Sequence, residues 1–290
     1  MSPLRIKTEP PRGIVQGPGR GKTDLEPVRL QRFEPPESLS PCVEHFWVVQ
    51  WSLPAGRTLE QATLPHPSIH WTTEGGRSAL FGVMRSRFLR RLEGRGRVVA
   101  AKFRPGGFCA LTREPLHALT DREVPALNFL GEEAERVARE LDELSAEEAA
   151  SRLASVLCGV ARPLDAAAEE ARNLVENIAR NPEVTTVEEV AKFAGLSVLA
   201  LQRLFRARVG VSPKWVIQRY RMHEALDRVS ELALARPGPV RLASLAYELG
   251  FTDQAHFCRV FKQFIGQSPA AYAGRVRTRR DGCTGEGEPM

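Results

Sequence analysis

The chain has 290 residues, enough for two domains of ordinary size, and its 42% hydrophobic and 26% charged residues are normal for a soluble globular protein. The formal net charge of +6 permits a polyanionic partner without requiring one. The five cysteines are scattered and form no C-x-x-C pair, which indicates reduced thiols rather than a disulfide framework or a zinc site.

Targeting signals are absent from the sequence pattern. No apolar run approaches the roughly 18 residues of a membrane span. The first 22 residues lack the apolar core of a secretory signal. We therefore predict a cytoplasmic protein with no membrane partner and no cofactor.

Along the chain, residues 1–30 are rich in proline, glycine and basic side chains and predict a disordered basic arm. From Gln31 to Gly107 short apolar runs alternate with prolines and glycines, which favours strands and turns over long helices. The strongest candidate strands are Val43–Leu53, Ser78–Met84 and Val98–Phe103.

Helical periodicity begins at about Leu127 and continues to Ala161, with apolar residues spaced three and four apart. Pro163 breaks this pattern and marks a domain boundary, after which residues 165–275 read as successive helices. The predicted fold class is α+β, a β-rich N-terminal domain with trailing helices followed by an all-α C-terminal domain. The predicted divisions are a basic arm at 1–30, a β-rich sensor or dimerisation domain at 31–162, a helical domain at 163–275 and a disordered tail at 276–290.

The helical domain contains an internal repeat. Val187–Trp215 and Leu242–Tyr272 share an Ala, a Gly, an Arg-x-Phe and a Gly-x-Ser-Pro in the same order, with one extra residue in the second copy. Chance repetition of so many special residues in one order is improbable.

Each copy predicts a helix, a turn and a second, capped helix. Gly195 and Gly250 stand where the turn needs a positive φ. Ser197 in the first copy, and Thr252 or Asp253 in the second, can accept from the free N–H groups of the next helix. This is the plan of a helix-turn-helix motif.

The second helix of each copy would leave a polar and basic face exposed. Gln side chains suit adenine edges and Arg side chains suit guanine edges in the major groove of DNA. Ser197–Arg221 and Gln254–Arg280 each hold six basic residues and no acid, which fits a face turned towards phosphates. The candidate DNA-binding residues are Leu199, Gln202, Arg203, Arg206, Gln254, Ala255, His256, Cys258, Arg259 and Lys262.

Between the copies, Pro213–Leu234 predicts one long helix, which Pro237-Gly238-Pro239 ends. A continuous helix would fix the two units relative to one another. Their recognition helices could then enter successive major grooves, about 34 Å apart on one side of the duplex.

Residues 165–275 resemble the DNA-binding domain of the AraC/XylS family of bacterial transcriptional regulators. The resemblance rests on AGLS with QRLF and GVSP, on RMHEALDRV, and on LAYELGF with FCRVFKQFIGQSPAAY. It implies a sequence-specific transcriptional regulator that is not an enzyme and whose partner is double-stranded DNA. In that family the base-contacting positions correspond to Leu199, Gln202, Arg203, Gln254, Ala255, Cys258 and Arg259.

Residues 31–160 are similar to an uncharacterised N-terminal domain of some AraC-like regulators, on the order EHFWVV, LPHPSIHW, KFRPGGFCAL and LTDREVPALNFLG. The family resemblance implies that this domain modulates DNA binding. It also implies candidate partners beyond DNA: a small-molecule effector, a second copy of the chain, and RNA polymerase.

Several residues allow two interpretations. His66 and His70 could bind a metal, but the neighbouring prolines argue against a helix and no third ligand is evident, so we predict no metal site. Arg104-Pro-Gly-Gly fits a tight turn or an anion site, and Trp47, Trp51 and Trp71 fit core or an apolar pocket. His256 fits a phosphate contact or a packing role, and the basic arm fits a solvated leader or a contact to DNA phosphates.

Two rival functions remain. An enzyme with a nucleophilic cysteine would need an activated thiolate beside a base or metal, and Cys42 and Cys109 have no such neighbours in sequence. An architectural DNA binder without a ligand would not need the 130-residue N-terminal domain.

Overall fold

The computed structural model describes residues 4–5, 14–15, 28–235 and 241–284. Its N-terminal part is built from two antiparallel sheets, with strand order β2-β3-β8-β5-β6-β9 in the larger and β1-β4-β7 in the smaller. The strands are β1 (Ile14–Val15), β2 (Val28–Phe33), β3 (Val43–Ser52), β4 (Thr58–Thr63), β5 (His70–Glu74), β6 (Arg77–Phe81), β7 (Phe88–Glu93), β8 (Arg95–Phe103) and β9 (Glu123–Pro125).

The helices follow the strands in the chain. They are α1 (Leu127–Leu130), α2 (Glu132–Glu140), α3 (Ala146–Val160), α4 (Ala166–Arg180), α5 (Val187–Ala194), α6 (Val198–Arg208), α7 (Pro213–Ala235), α8 (Leu242–Glu248), α9 (Gln254–Ile265) and α10 (Pro269–Thr284). The architecture is therefore α+β, as the sequence predicts, although the helical pattern of residues 127–161 is divided into α1, α2 and α3.

The two faces of the larger sheet differ in polarity because side chains alternate along a strand. Phe46 and Val48 of β3 are buried on one face, which α3 covers. His45 on β3 pairs in register with Lys102 on β8 and lies on the other face, and both are buried. The polar pair therefore lies inside the molecule rather than on its surface.

Two hydrophobic clusters hold the helical part. The first is continuous from the sheet through α3 and α4 to Phe205 on α6 and Ile217 on α7. The second joins the rest of α7 to α8, α9 and α10, and it includes Leu64 from the loop after β4. The first helix-turn-helix unit thus shares its core with the β-rich part, and a side chain of that part enters the core of the second unit.

The predicted disordered segments need correction at their inner edges. The arm predicted at 1–30 lies mostly outside the described residues, but β2 begins at Val28 and Leu4 is buried in the first cluster. The tail predicted at 276–290 overlaps the end of α10, which continues to Thr284. Pro237-Gly238-Pro239 lies outside the described residues. Within the described ranges, no helix is both long and apolar enough to cross a membrane.

Trp51, Trp71 and Arg104 have structural roles. Trp71 and Trp51 are buried, and their indole nitrogens donate to Ser78 Oγ at 2.9 Å and to the Glu93 carbonyl at 3.1 Å. Arg104 Nε donates to the carbonyl of Ser40 at 2.8 Å, and the glycines that follow make a tight turn. Core and turn are therefore the interpretations that fit these residues.

Candidate nucleic-acid interface

The turns of the two repeat copies have the same backbone geometry. Gly195 and Gly250 adopt φ values of 66° and 69°, in the left-handed region that favours glycine. The next residue donates back to the alanine of the first helix, Leu196 N to Ala191 O and Phe251 N to Ala246 O, each at 2.9 Å. These hydrogen bonds satisfy carbonyls at the helix end and aim the chain at the second helix.

A side-chain cap starts each second helix. Ser197 Oγ accepts from Ala200 N at 3.2 Å, and Asp253 Oδ1 accepts from His256 N at 2.7 Å. Asp253 rather than Thr252 fills this role, so the extra residue of the second copy lies between the glycine and the cap. Capping satisfies an N–H group that has no partner within the helix.

Each recognition helix, α6 or α9, is held by a buried aromatic and aliphatic stripe. Leu201 and Phe205 of α6 are fully buried, as are Phe257 and Phe261 of α9. A helix that buries one stripe must turn the opposite side to solvent. The two helices therefore present corresponding faces outward.

Most of the predicted DNA-binding residues lie on these outward faces. Eight are exposed: Leu199, Gln202, Arg203, Arg206, Gln254, Ala255, Arg259 and Lys262. The other two, His256 and Cys258, are half-buried. The His256 ring packs edge-on against Phe251 with centroids 5.4 Å apart, which favours the packing role for this histidine.

The outward cations are available for a ligand. Within the described part of the chain, Arg203, Arg206, Arg259 and Lys262 form no ion pair and no hydrogen bond. Some surface arginines elsewhere are paired, for example Arg180 with Glu176 at 3.1 Å. Unpaired, exposed arginine and lysine side chains on a capped helix suit phosphate and base edges.

In the first copy, the number of basic residues in the sequence is larger than the number of cations on the outward face. Of the six basic residues in Ser197–Arg221, Arg208 pairs with Asp165 at 2.8 Å, Arg219 is buried, and Arg221 donates to the carbonyl of Leu249. A count along the sequence cannot distinguish these inward cations from the outward ones. Three of the six therefore face the protein rather than a partner.

The repeated Gly-x-Ser-Pro ends one helix and starts the next. Gly210 lies two residues after α6 and Gly266 directly after α9, with φ values of 95° and 83°. Ser212 Oγ accepts from Trp215 N and Ser268 Oγ accepts from Ala271 N, both at 3.2 Å. The proline that follows occupies the first helical position, where its missing N–H costs nothing. The sequence carries this signal, although the two serines were not predicted as caps.

The linker helix α7 connects the two units without a break. It has 23 residues, which corresponds to about 34 Å at 1.5 Å per residue. Val216 and Ile217 pack into the first cluster, whereas Leu226 and Val229 pack into the second. Both units are therefore anchored to one rigid element.

Two exposed aromatic residues were not among the predicted site residues. Phe193 on α5 is 67% exposed and Tyr247 on α8 is 84% exposed. Both lie near the end of the first helix of their unit, the helix that crosses the DNA backbone in helix-turn-helix complexes. Only their exposure in the structure marks these residues as candidate surface contacts. From the sequence alone, an aromatic residue in an amphipathic helix is normally assigned to the core.

Cys42 and Cys109 do not have the properties of a nucleophile. Cys42 and Cys109 are buried, and desolvation raises the pKa of each thiol to about 11. An activated cysteine requires a lowered pKa. No group of three or more potential metal ligands occurs in the described ranges, which include His66 and His70.

Two protein families match this chain. Residues 190–275 match a family described as a helix-turn-helix domain, and residues 31–125 match a domain of unknown function, DUF6597. Two curated relatives are similar to the C-terminal part. An uncharacterized HTH-type transcriptional regulator of Haemophilus influenzae is 29% identical over 90 residues, 31% of this chain and 28% of the relative. The probable transcriptional regulator LumQ of Photobacterium leiognathi is 28% identical over 92 residues, 32% of this chain and 35% of the relative.

The matches thus span about a third of the length of these relatives or less. Among solved structures, the C-terminal domain of AraT from Geobacillus stearothermophilus has 26% identity and a TM-score of 0.30, over 36% of this chain and 83% of that one. ToxT from Vibrio cholerae has 15% identity and a TM-score of 0.36, over 80% of this chain and 98% of that one.

The duplicated turn, cap and recognition helix define a double helix-turn-helix protein, a class of DNA-binding fold. More specifically, residues 190–275 match a helix-turn-helix domain family, and a match to the domain of unknown function DUF6597 precedes it at residues 31–125.

Proposed function

We propose that the chain is a sequence-specific, DNA-binding transcriptional regulator that reads two successive segments of the major groove. The observation that carries the proposal is the pair of outward faces on α6 and α9, each with exposed, unpaired arginine beside exposed glutamine. A helix fits the major groove, and these two side chains are the ones that form paired hydrogen bonds to guanine and adenine. The continuous α7 supports simultaneous docking of both units.

Within this proposal the ten site residues divide by chemistry. Gln202, Arg203, Gln254 and Arg259 can read base edges through hydrogen bonds, whereas Arg206 and Lys262 suit phosphates. Three further residues offer only apolar or weakly polar contact, which suits a thymine methyl group or close approach: Leu199, Ala255 and Cys258. His256, held against Phe251, would stiffen the start of α9 beside the DNA.

The N-terminal residues 31–162 are proposed to modulate the DNA-binding residues 163–275. Direct contacts between the two parts support this proposed modulation. Thr120 Oγ1 donates to the carbonyl of Gly210 at 2.6 Å, next to the first unit, and Arg87 Nη1 donates to the carbonyl of Ile265 at 3.1 Å, at the end of α9. The N-terminal part therefore touches both recognition units. The same proposal includes a cytoplasmic location, a small-molecule effector, a second copy of the chain and RNA polymerase as partners.

Selection from a randomised duplex library with the full-length chain, at two salt concentrations, tests the function. We expect an enriched motif with two half-sites about 10 base pairs apart and an affinity that falls as salt rises. The double variant Arg203→Ala/Arg259→Ala should lose the motif, and Arg180→Ala, a paired surface arginine on α4, should keep it. Salt-sensitive binding without a motif would indicate an architectural role instead, and no binding would refute the proposal.

A further inference from the structure

A row of polar side chains crosses one face of the larger sheet. Lys102 on β8 is in register with His45 on β3 and with His70 on β5, so the three side chains share one face of the sheet. A register shift between Val43 and His45 marks an irregularity in β3 at Glu44. The Glu44 carboxylate contacts Lys102 Nζ at 2.9 Å. The row thus contains one cation and its carboxylate partner.

The loop after β4 brings a further histidine into contact with the linker helix. The ring of His66 lies 6.2 Å from the Tyr220 ring and 6.4 Å from the His223 ring, measured between centroids. His66, His70 and His223 are half-buried rather than fully buried. Each of the three histidines therefore retains some exposed surface.

Arg219 on α7 is the second permanent cation of this region. Its side chain is only 1% exposed, its Nε donates to the carbonyl of Pro65 at 2.6 Å, and its guanidinium lies 5.0 Å from the Tyr220 ring centroid. Its Nη2 is buried and has no hydrogen-bond partner among the described residues. No carboxylate of those residues lies within 4.0 Å of it, in contrast to Lys102.

The charge balance of the region is positive. Desolvation lowers the pKa of Arg219 to about 10, which still leaves the guanidinium charged at neutral pH. Desolvation, with Lys102 second, lowers the pKa of His66 well below its usual value and that of His70 to about 3, so both imidazoles are neutral there. For Glu44, the hydrogen bond from His45 and the charge of Lys102 outweigh desolvation and hold the pKa far below normal. Among the described residues, the region therefore holds two permanent cations and one carboxylate, and that carboxylate contacts Lys102 and His45 rather than Arg219.

A buried charge without a partner is strongly unfavourable, and a guanidinium with an unused N–H group is shaped to accept a planar or tetrahedral oxyanion. We propose that Arg219, with the neighbouring His66, forms an interdomain site for a small ligand that carries a carboxylate or phosphate group. A phosphate of duplex DNA does not reach Arg219, because that side chain is buried between the two parts of the protein.

The position of the site gives it a regulatory consequence that rests on the proposed function. A ligand there contacts the loop after β4 in the N-terminal part and the helix that joins both recognition units. Binding would therefore favour the docked arrangement of the two parts, because a ligand shifts an equilibrium towards the state that it binds better. The site would couple ligand concentration to the geometry of α6 and α9.

Thermal unfolding of the full-length chain in sodium phosphate or sodium acetate tests the site, with sodium chloride at the same ionic strength and pH as reference. We expect a saturable rise in Tm, roughly 3 °C at ten times the dissociation constant. Arg219→Gln should abolish this anion-specific rise. Arg228→Gln is the matched control. It removes another arginine of α7, one that is paired with Glu248 of α8, and it should retain the rise in Tm.

The two anions distinguish the ligand classes. A rise with phosphate alone assigns a phosphorylated ligand, a rise with acetate alone assigns a carboxylate, and a rise with both assigns a general oxyanion site. The absence of any anion-specific rise, or an equal rise in Arg219→Gln, overturns the proposal. Arg219→Lys keeps the cation but loses the planar fork, so it should still fold and need at least about fivefold more anion for half of the effect. Because the assay contains no DNA, its outcome is independent of whether the chain binds an operator.

Discussion

Arg221 donates from Nε to the carbonyl oxygen of Leu249 at 2.8 Å, and its guanidinium lies 4.1 Å from the centroid of the Phe251 ring. These two partners stand on either side of Gly250, in the turn of the second unit. A carbonyl at the C-terminal end of a helix has no partner within its own helix. A cation placed there also interacts favourably with the partial negative charge of that helix end. The direction in which α9 leaves its turn is therefore set by a side chain of the linker helix.

Substitution of Gly250 by alanine should strain this turn. The new Cβ would lie 3.2 Å from Arg221 Nη2 and 3.2 Å from Thr185 Cγ2, at a φ of 69° that side chains rarely adopt. We expect a loss of about 1–2 kcal/mol in the free energy of unfolding, measured by urea denaturation. Gly159→Ala is the matched control, because that glycine lies in α3 with open space around it. A stability equal to that of the control would contradict the assigned turn geometry.

The contribution of the cap of α9 to stability can be measured by comparing substitutions of the adjacent residues Asp253 and Thr252. Asp253→Ala removes the carboxylate that accepts from His256 N and should cost about 1 kcal/mol of stability. Thr252→Ala removes a side chain that is exposed and does not cap the helix, so its change in unfolding free energy should stay within about 0.5 kcal/mol. Similar losses for both variants, in the same denaturation assay, would mean that the cap is shared.

Arg203→Ala and Arg259→Ala should each cost about 1–3 kcal/mol of DNA-binding free energy and relax specificity at one base pair. The reason is that a bidentate contact to guanine is lost while the phosphate contacts remain. Binding to the selected operator and to its single-base variants measures the effect. Lys262→Ala, by contrast, should weaken binding evenly across sequences and reduce the salt dependence. Uniform loss in the arginine variants would assign those arginines to phosphates.

Leu64 connects the N-terminal part to the core of the second unit, where it is 4% exposed. Leu64→Ala should lower the free energy of unfolding by about 2–5 kcal/mol, because it removes buried apolar surface and leaves a cavity. Leu89→Ala, on the exposed side of β7, should change it by no more than about 0.5 kcal/mol. Denaturant unfolding of both variants compares them, and equal stabilities would show that the contact is not maintained in solution.

Stability should fall between pH 6.5 and pH 5 because of half-buried histidines in the N-terminal part. Desolvation, then the charge of Lys102, lowers the pKa of His70 to about 3, so in this range the unfolded chain binds a proton that the folded chain does not. The stability present above pH 6.5 is therefore lost as the pH falls, at up to about 1.4 kcal/mol per pH unit for each such proton. Urea denaturation at several pH values measures the slope. His70→Gln should flatten it, and an unchanged slope in that variant would exclude His70 as a source.

The repeat was predictable from the sequence because its special residues act locally. Gly195, Ser197 and Gly250 each determine the conformation of a few neighbouring residues, and the positions of α5, α6, α8 and α9 follow from them. The choice between Thr252 and Asp253 did not follow, because both side chains can cap a helix and only the position of the first turn decides between them.

Long-range relationships were not predictable in the same way. The inward orientation of Arg208 and Arg219 depends on Asp165 and Pro65, which are distant in sequence. The continuity of α10 beyond residue 275 depends on packing against α7, to which Arg277 donates at the carbonyl of Ala233. The sheet order also follows from pairings between strands far apart in the chain, so β3, β6 and β8 could be placed but the topology could not.

The 23 residues of α7 set a rotation as well as a length. Successive residues of an α-helix are offset by about 100° around the axis and by about 1.5 Å along it. One residue inserted between the two hydrophobic clusters would move the second unit only slightly along the axis, but it would swing α9 by more than a quarter of a turn. The two recognition helices would then address different sides of a duplex. The length of α7 therefore fixes the rotation of one unit relative to the other. Only those changes in length that return α6 and α9 to the same side of a duplex should be tolerated.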